Sequence, residues 1–511
     1  MRRIRKSVLS LAVAGMAGIS GSRWAVAAAP APEPSTQPVS QQELLDEVRA
    51  LRAEIQQMKA ERAADKAAAA TTTKVAGPTT APSSLPTVDT TVAAIAHDAD
   101  DRVKPFLADA TDDVTAGFLS DRFTIQSADQ KFTFRPWLHF QFRYAVLDRQ
   151  NFKPDGSDQV DDGFEVRRMR FGFDGNMFGP DLTYFFNWAT VRANGTATVT
   201  NSAGAKVGTV SNNLGGTPLL EEAWVKYRIA HGDFYIKGGQ IKDPLLHDQI
   251  VSSKYQQTTE RSVTADVFTN GDAFTEGVTL AYDPQTWTRV EAGFTHGMRS
   301  ANTSFLDPPT NAFDYGAVGR AEFKLMGDWK NYNSMGAIGV KQPLAVVGVA
   351  ADYSERGDQG QTVGVVDGVY ACPCGFSFYG AAVDRYTNSN FGIYTQSATG
   401  ANIGTPDPAV AGKHTNEYSF VGQAGYLIGG HLEPFGRYEY MKLQGTPAGS
   451  HNYVQIITGG MNYYFYAHRL KLTAQASYLP EGIPIDDSPN DLFTNNGEGE
   501  FLFEGQLQLL I

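Results

Sequence analysis

The 511 residues include 51 glycines, 11% aromatic and 19% charged residues, with a formal charge of −12. Net acidity argues against nucleic acid as a partner, and no run of about eighteen apolar residues offers a membrane-spanning helix. The profile suits an all-β chain in which every second residue meets water and averages the hydropathy down.

In chain order, Arg2, Arg3, Arg5 and Lys6 precede an apolar core at 8–19 and small residues at Ala25-Val26-Ala27. Residues 1–28 therefore read as a Sec signal peptide, and no cysteine follows for lipidation. Residues 29–40 are rich in Pro and Ala and predict disorder. Over 41–66, Leu44, Val48, Leu51, Ile55 and Met58 form an a/d seam, which predicts a short coiled-coil helix of open strand number. A single helix lying on a neighbour is the competing reading, because a little over two heptads is short. Residues 67–116, rich in Ala, Thr, Pro and Asp, predict a flexible linker between a periplasmic stalk and a membrane domain.

From 117 to 511 the chain reads as strand after strand. In 131–146, Phe132, Phe134, Leu138, Phe140, Phe142 and Tyr144 share one face. Thr133, Arg135, Trp137, His139, Gln141 and Arg143 share the other. Such an aromatic face over about a dozen residues is near the length that crosses a bilayer at a tilt. The competing reading is a soluble sandwich with that face as its core. Further strands are predicted at 164–177, 182–192, 221–229, 234–242, 274–282, 287–297, 313–325 and 344–353. The rest fall at 375–386, 417–427, 432–441, 453–466, 470–478 and 501–511. Tight turns such as Gly179-Pro180-Asp181 alternate with polar loops such as 193–216, as at the two ends of an outer-membrane barrel. The last strand alternates into the final residue, which predicts closure against an early strand. Roughly 380 residues at about 24 per strand and loop give sixteen strands. The expected fold class is all-β: a transmembrane antiparallel β-barrel of about sixteen strands over 117–511, behind a short N-terminal helical segment.

A barrel of that size leaves a water-filled channel. Parity places Arg135, His139, Arg143, Arg168, Arg170, Lys226, Arg228 and Lys237 on its wall. Alternate residues sit ~6.6 Å apart, inside a Debye length of ~8 Å, so these charges form continuous positive patches. Guanidinium groups can bind two oxygens of an oxyanion at once, so a preference for small anions is expected. The competing reading pairs these bases with acids such as Asp174, Glu222 and Glu276, where they hold the wall. No His-Glu-x-x-His or Gly-x-Ser-x-Gly pattern marks an enzyme, and no cofactor is expected. Cys372-Pro373-Cys374 has no other Cys or His at ligand spacing. A tight loop, with free thiols or a local disulfide, therefore outranks a metal or redox pair.

Four segments resemble the phosphate-selective porin O/P family. They are 123–144, 164–173 (FEVRRMRFGF), 221–227 (EEAWVKY) and 235–244 (YIKGGQIKDP). Glu260-Arg261-Ser262, leading to Gly277-Val278, adds a fifth point of similarity in the same order. The resemblance implies a sixteen-stranded, trimeric outer-membrane porin that passes anions or phosphate, with lipid around its wall. Two other readings stay open. One is a structural anchor whose stalk and linker (41–116) contact the cell wall. The other is a general or sugar pore that uses Trp137, Trp224 and Tyr235 as a sliding surface.

Overall fold

The structure, a computed structural model, describes residues 114–511 with interruptions. These fall at 120–121, 154–155, 191–195, 201–205, 212–215, 270–273, 299, 301–305, 307–311, 389–411, 445, 447–449, 486–491 and 493–494. The expected signal peptide and coiled coil, and the linker up to 113, lie outside the described residues.

A hairpin, β1 (Val114–Leu119) and β2 (Arg122–Ser127), leads into the wall through the pairs Ile125↔Phe134 and Gln126↔Thr133. The wall begins with β3 (Thr133–Arg149), β4 (Gln159–Met177) and β5 (Leu182–Thr190). A small separate hairpin follows, β6 (Thr196–Thr200) with β7 (Lys206–Ser211). The wall resumes with β8 (Pro218–Arg228), β9 (Phe234–Lys242), β10 (Phe274–Tyr282), β11 (Thr288–Thr295) and β12 (Tyr315–Met326). It continues through β13 (Leu344–Arg356), β14 (Gln359–Ala371), β15 (Phe376–Thr387), β16 (Thr415–Tyr426) and β17 (Leu432–Lys442). It ends with β18 (Tyr453–Tyr466), β19 (Leu470–Leu479), the two-residue pair β20 (Gly482–Ile483) and β21 (Asn495–Asn496), and β22 (Glu500–Leu510).

The main sheet has eighteen strands. Without the β1–β2 hairpin, sixteen form the wall, each antiparallel to the next. β22 pairs back onto β3 from Glu500↔Arg149 to Leu510↔His139 and closes the cylinder. Closure gives every wall strand two partners, as a lipid-embedded sheet requires. Among the described residues, no helix is long and apolar enough to cross a membrane.

Alternation sets the two faces. On β3, Phe134, Phe142 and Tyr144 are exposed outward, while His139, Gln141 and Arg143 are buried inward. On β18, Tyr463 and Tyr466 stand exposed near one rim, where aromatic girdles form. The long connections that follow β5, β9, β15 and β19 start from one rim, and short turns such as 178–181 and 467–469 leave the other.

β14 is the one wall strand absent from the sequence prediction. Its inward residues include Val363, Val365, Val369 and Ala371, all buried, whereas Gly364 and Gly368 alternate with them on the lipid side. The amphipathic contrast is lost, since Val366 and Tyr370 face outward as well, because the lumen is not wet on that side. Between β9 and β10, residues 243–269 fold inward, carrying a helical turn at His247–Ile250 and a short helix at Val263–Thr269. Leu245, Leu246, Val263 and Phe268 of this loop pack in one cluster with Val346, Val363, Val383, Val421 and Ile456 of the wall. Each such fully buried side chain contributes about 1.5–3 kcal/mol. The core of this barrel therefore lies inside it, against β13–β19.

A second segment, 327–343, enters from the short-turn rim. Trp329 and Tyr332 are buried there, and the Trp329 indole donates to the Thr286 carbonyl at 2.8 Å. Met335 N–H donates to the Tyr255 carbonyl at 3.1 Å, so the two inward segments meet. Cys372 and Cys374 are joined as a disulfide in the turn before β15, in line with the tight-loop reading. Among the described residues, no metal-binding group of His, Cys, Asp and Glu occurs.

Candidate functional site: a constricted lumen

The basic residues singled out from parity divide into two sets. Arg143, Arg168 and Arg170 are buried and clamp carboxylates. Arg143 meets Glu260 at 2.8 Å, Glu504 at 2.7 Å, and Glu165. Arg168 also binds Glu260 and donates to Gln141 at 3.1 Å. Arg170 binds Glu221 at 2.6 Å and donates to Ser253 in the inserted loop. A fourth guanidinium, Arg167, joins Glu260 at 3.0 Å.

Two β-bulges produce this cluster. The register passes from Gln141↔Arg168 to Phe142↔Val166, so Arg167 is an extra residue and points inward beside Arg168. It likewise passes from Asn187↔Glu222 to Trp188↔Leu220, which turns Glu221 inward beside Glu222. A bulge re-aims one side chain without ending the ladder, and here it breaks strict parity within the two sequence motifs FEVRRMRF and EEAW. Burial alone would raise the Glu260 pKa; Arg167, Arg168 and Arg143 outweigh it and hold the carboxyl well below the usual carboxylate range.

Other lumen groups grip the loop backbone around Glu260. Arg437 donates to the Thr258 hydroxyl and the Glu260 carbonyl at 2.9 and 3.0 Å. Asn462 and Lys471 donate to the Gln257 and Gln256 carbonyls, both at 2.8 Å. Thr259 donates from its N–H to Gln475 at 3.0 Å and from its hydroxyl to Glu504 at 2.8 Å. The loop is thereby also fixed to this part of the wall, and a cavity remains between it and the rest.

That cavity, of about 430 Å³, is walled by β3–β5 and β8–β12 on one side and by the inserted loop on the other. Its cations are Arg170, Lys226, Lys237, Lys242, Lys254, Arg289 and Arg320. Its anions are Glu221, Glu222, Asp283, Glu291 and Glu322. Lys237 pairs with Glu291 at 2.7 Å, Arg289 with Asp283 at 2.9 Å and Arg320 with Glu322 at 2.7 Å. Lys242 donates to the Ile250 carbonyl. Lys226 and Lys254 have no carboxylate within ion-pair distance among the described residues. Their ammonium groups lie over rings instead, Lys226 at 4.9 Å from Tyr235 and Lys254 at 5.0 Å from Trp137.

Of the remaining sequence candidates, His139 lines the cavity, buried, with Nε2 unpartnered. Arg135 pairs with Asp174 at 2.8 Å, and Arg228 lies 3.6 Å from Asp181 near the short-turn rim. Lys254, Arg167 and Glu260 were not among the candidates. Lys254 belongs to a loop without periodicity, and Arg167 sits on the bulge.

Near-parallel rings run along the same wall. Trp137 and Phe185 lie 5.9 Å apart, and Phe185 and Trp224 5.6 Å apart. Trp137 reaches Phe185 across β4 because Gly172 intervenes. A Cβ there would fall 2.8 Å from the Trp137 ring and nearer still to the Phe186 carbonyl. Gly172→Ala is expected to destabilise the barrel by about 1–3 kcal/mol, read as a lower denaturant midpoint in detergent; an unchanged midpoint would show that the wall yields there freely.

The architecture is a closed sixteen-stranded antiparallel barrel, constricted by an inserted loop and lined by charge, which is the architecture of outer-membrane porins. The sequence model of the family "Phosphate-selective porin O and P" matches residues 139–308, which takes in the arginine motif, the inserted loop and the cavity wall as far as β11. No curated protein matches the sequence. Similar solved structures include an anion-selective porin from Comamonas acidovorans, at 11% identity, 74% of this chain, 99% of that one and a TM-score of 0.46. They also include Salmonella typhi OmpF in complex with daunomycin, at 12% identity, 75% and 99% coverage and a TM-score of 0.45. The outer-membrane channel DcaP of Acinetobacter baumannii is similar at 12% identity, 78% and 100% coverage and a TM-score of 0.44.

Proposed function

We propose that this chain is an outer-membrane porin through which small anions, phosphate or similar, diffuse by way of the lumen cavity. The observation that carries the reading is the pair of ammonium groups, Lys226 and Lys254, facing that cavity without carboxylate partners. They lie in a lining where seven cations face five anions. Paired charges hold a wall; an unpaired cation in a narrow aqueous passage raises the local concentration of anions. Anion preference thus rests on lysines, while Arg143, Arg168 and Arg170 serve chiefly to seat the constricting loop. Arg135 and Arg228 stand nearer the mouth.

The N-terminal pattern supports export by a Sec signal and a periplasmic segment ahead of the barrel. Loop lengths support placing the long-loop rim outside the cell. A homotrimer follows from the family resemblance, and contact of 41–116 with the cell wall remains compatible with it.

The deciding experiment is the reversal potential of the purified protein in a planar bilayer under a KCl gradient, followed by phosphate titration. Anion-selective current that phosphate reduces is the expected result. Cation-selective or unselective current would overturn the anion reading, and no current from a folded barrel would favour the anchor.

A pH dependence follows. Burial lowers the Lys254 pKa to about 8, with Arg122 and Arg170 pushing the same way. The ammonium charge is present below that value and lost above it. Anion selectivity should therefore fall between pH 7 and pH 9.5, a range in which an unperturbed lysine stays charged. A flat reversal potential across that range would remove Lys254 from the selectivity mechanism.

A further inference from the structure

We infer that the lumen selects organic anions that carry a ring, above all aromatic carboxylates, over open-chain anions of the same charge. The inference rests on the anion-porin reading and narrows its substrate class.

Water-facing positions of a barrel wall are ordinarily polar. Here Trp137, Phe185 and Trp224 occupy inward positions on β3, β5 and β8 and line the charged cavity described above. Successive ring planes lie within 24° and 16° of parallel. The row is not part of the interior apolar cluster against β13–β19. It stands on the opposite wall, lining the cavity, where Lys254 of the loop, a cation and not an apolar side chain of that cluster, lies over Trp137. Gly172 keeps the row continuous across β4. The Trp224 indole donates to Glu222 at 3.2 Å, which fixes its orientation.

Each end of the row carries a cation. Lys254 lies over Trp137, and Lys226, one inward position along β8 from Trp224, lies over Tyr235. A bare inorganic anion would use the ammonium groups and gain nothing from the rings. A neutral sugar would use the rings and gain nothing from the unpaired charges. A planar ring bearing a carboxylate engages both, by offset stacking on the row and by charge attraction at its end. Lys226 and Lys254 would exchange their contacts with the Tyr235 and Trp137 rings for an ammonium–carboxylate contact with the ligand as the anion passes.

The test compares benzoate with acetate in the full-length protein in planar bilayers, with potassium as the common cation. Sieving by size favours acetate. Stacking favours benzoate, by about two- to tenfold, the range one aromatic pair spans. The expected result is a benzoate permeability above that of acetate, with the ratio falling below one in Phe185→Leu and Trp224→Leu. These variants keep apolar bulk and remove the ring. A ratio of two anions in one channel cancels changes in conductance. If the variants fail to fold, the wild-type series benzoate, cyclohexanecarboxylate, acetate still decides, since only the first is aromatic. Wild-type channels that prefer chloride over potassium but pass acetate faster than benzoate would overturn this inference alone. Channels that prefer potassium would overturn the anion reading beneath it. Swelling assays in which glucose enters faster than benzoate would assign the row to sugars and overturn the inference as well.

Discussion

Glu260→Gln is expected to lower the stability of the barrel by about 3–5 kcal/mol, the usual effect of removing one partner from a buried ion pair. Glu260 is the point at which Arg143, Arg167 and Arg168 converge on the inserted loop. Arg143 would keep Glu165 and Glu504, but Arg168 would lose the carboxylate that neutralises it, and Arg167 its ion pair with Glu260. The Arg168 guanidinium would then be buried without a carboxylate, and the loop would lose its strongest charged tether. The readouts are a lower denaturant midpoint by tryptophan fluorescence in detergent, and noisier, more anion-selective current. An unchanged midpoint would show that the backbone grips by Arg437, Asn462 and Lys471 suffice. Combining Glu260→Gln with Arg168→Gln should recover part of the loss, because it removes one stranded charge. The pH dependence has a definite sign. The Glu260 carboxyl is depressed in the folded state, so its contribution is full above the unfolded value of about 4.3 and fades only as pH falls through the lower folded value. Mild acid should leave the clamp intact.

The wall was legible because lipid imposes a period of two that nothing local can hide. The ranges 234–242, 274–282 and 453–466 match the observed strands at both ends. β14 escaped because its inward residues, Val363, Val365 and Val369, meet the apolar flank of a loop about a hundred residues earlier in the chain, and parity assumes water there. The inward course of 327–343 left no periodic signal at all. At the site, parity placed Arg143, Arg168 and Arg170 on the lumen face, and they are there. Their carboxylate partners were out of reach: Glu260 lies 117 residues from Arg143 and Glu504 lies 361 away. A pattern within one strand shows which way a charge points but carries no information on what crosses the barrel to meet it. The separation of clamping arginines from unpaired lysines is therefore a property of the fold, as is the row of rings assembled from three strands.

Replacing both Lys226 and Lys254 by glutamine is expected to abolish anion preference while leaving the barrel folded. The two changes leave five cations facing five anions in the cavity lining, so the reversal potential under a KCl gradient should fall close to zero. A unit charge about 4 Å from a passing ion is worth about 1 kcal/mol in water, roughly fivefold in occupancy for each lysine before screening. Raising the salt should therefore blunt the wild-type selectivity and leave the double variant unaffected. Glutamate at both positions carries the argument further: five cations would face seven anions, and the channel should turn cation-selective. Neither lysine clamps the loop through an ion pair, so the denaturant midpoint should change little. A stability loss like that of Glu260→Gln would instead place these lysines among the structural charges. If the double glutamate variant still prefers anions, selection must lie with Arg135, Arg228 and the other charges near the mouth, and the unpaired ammonium groups would not be the filter.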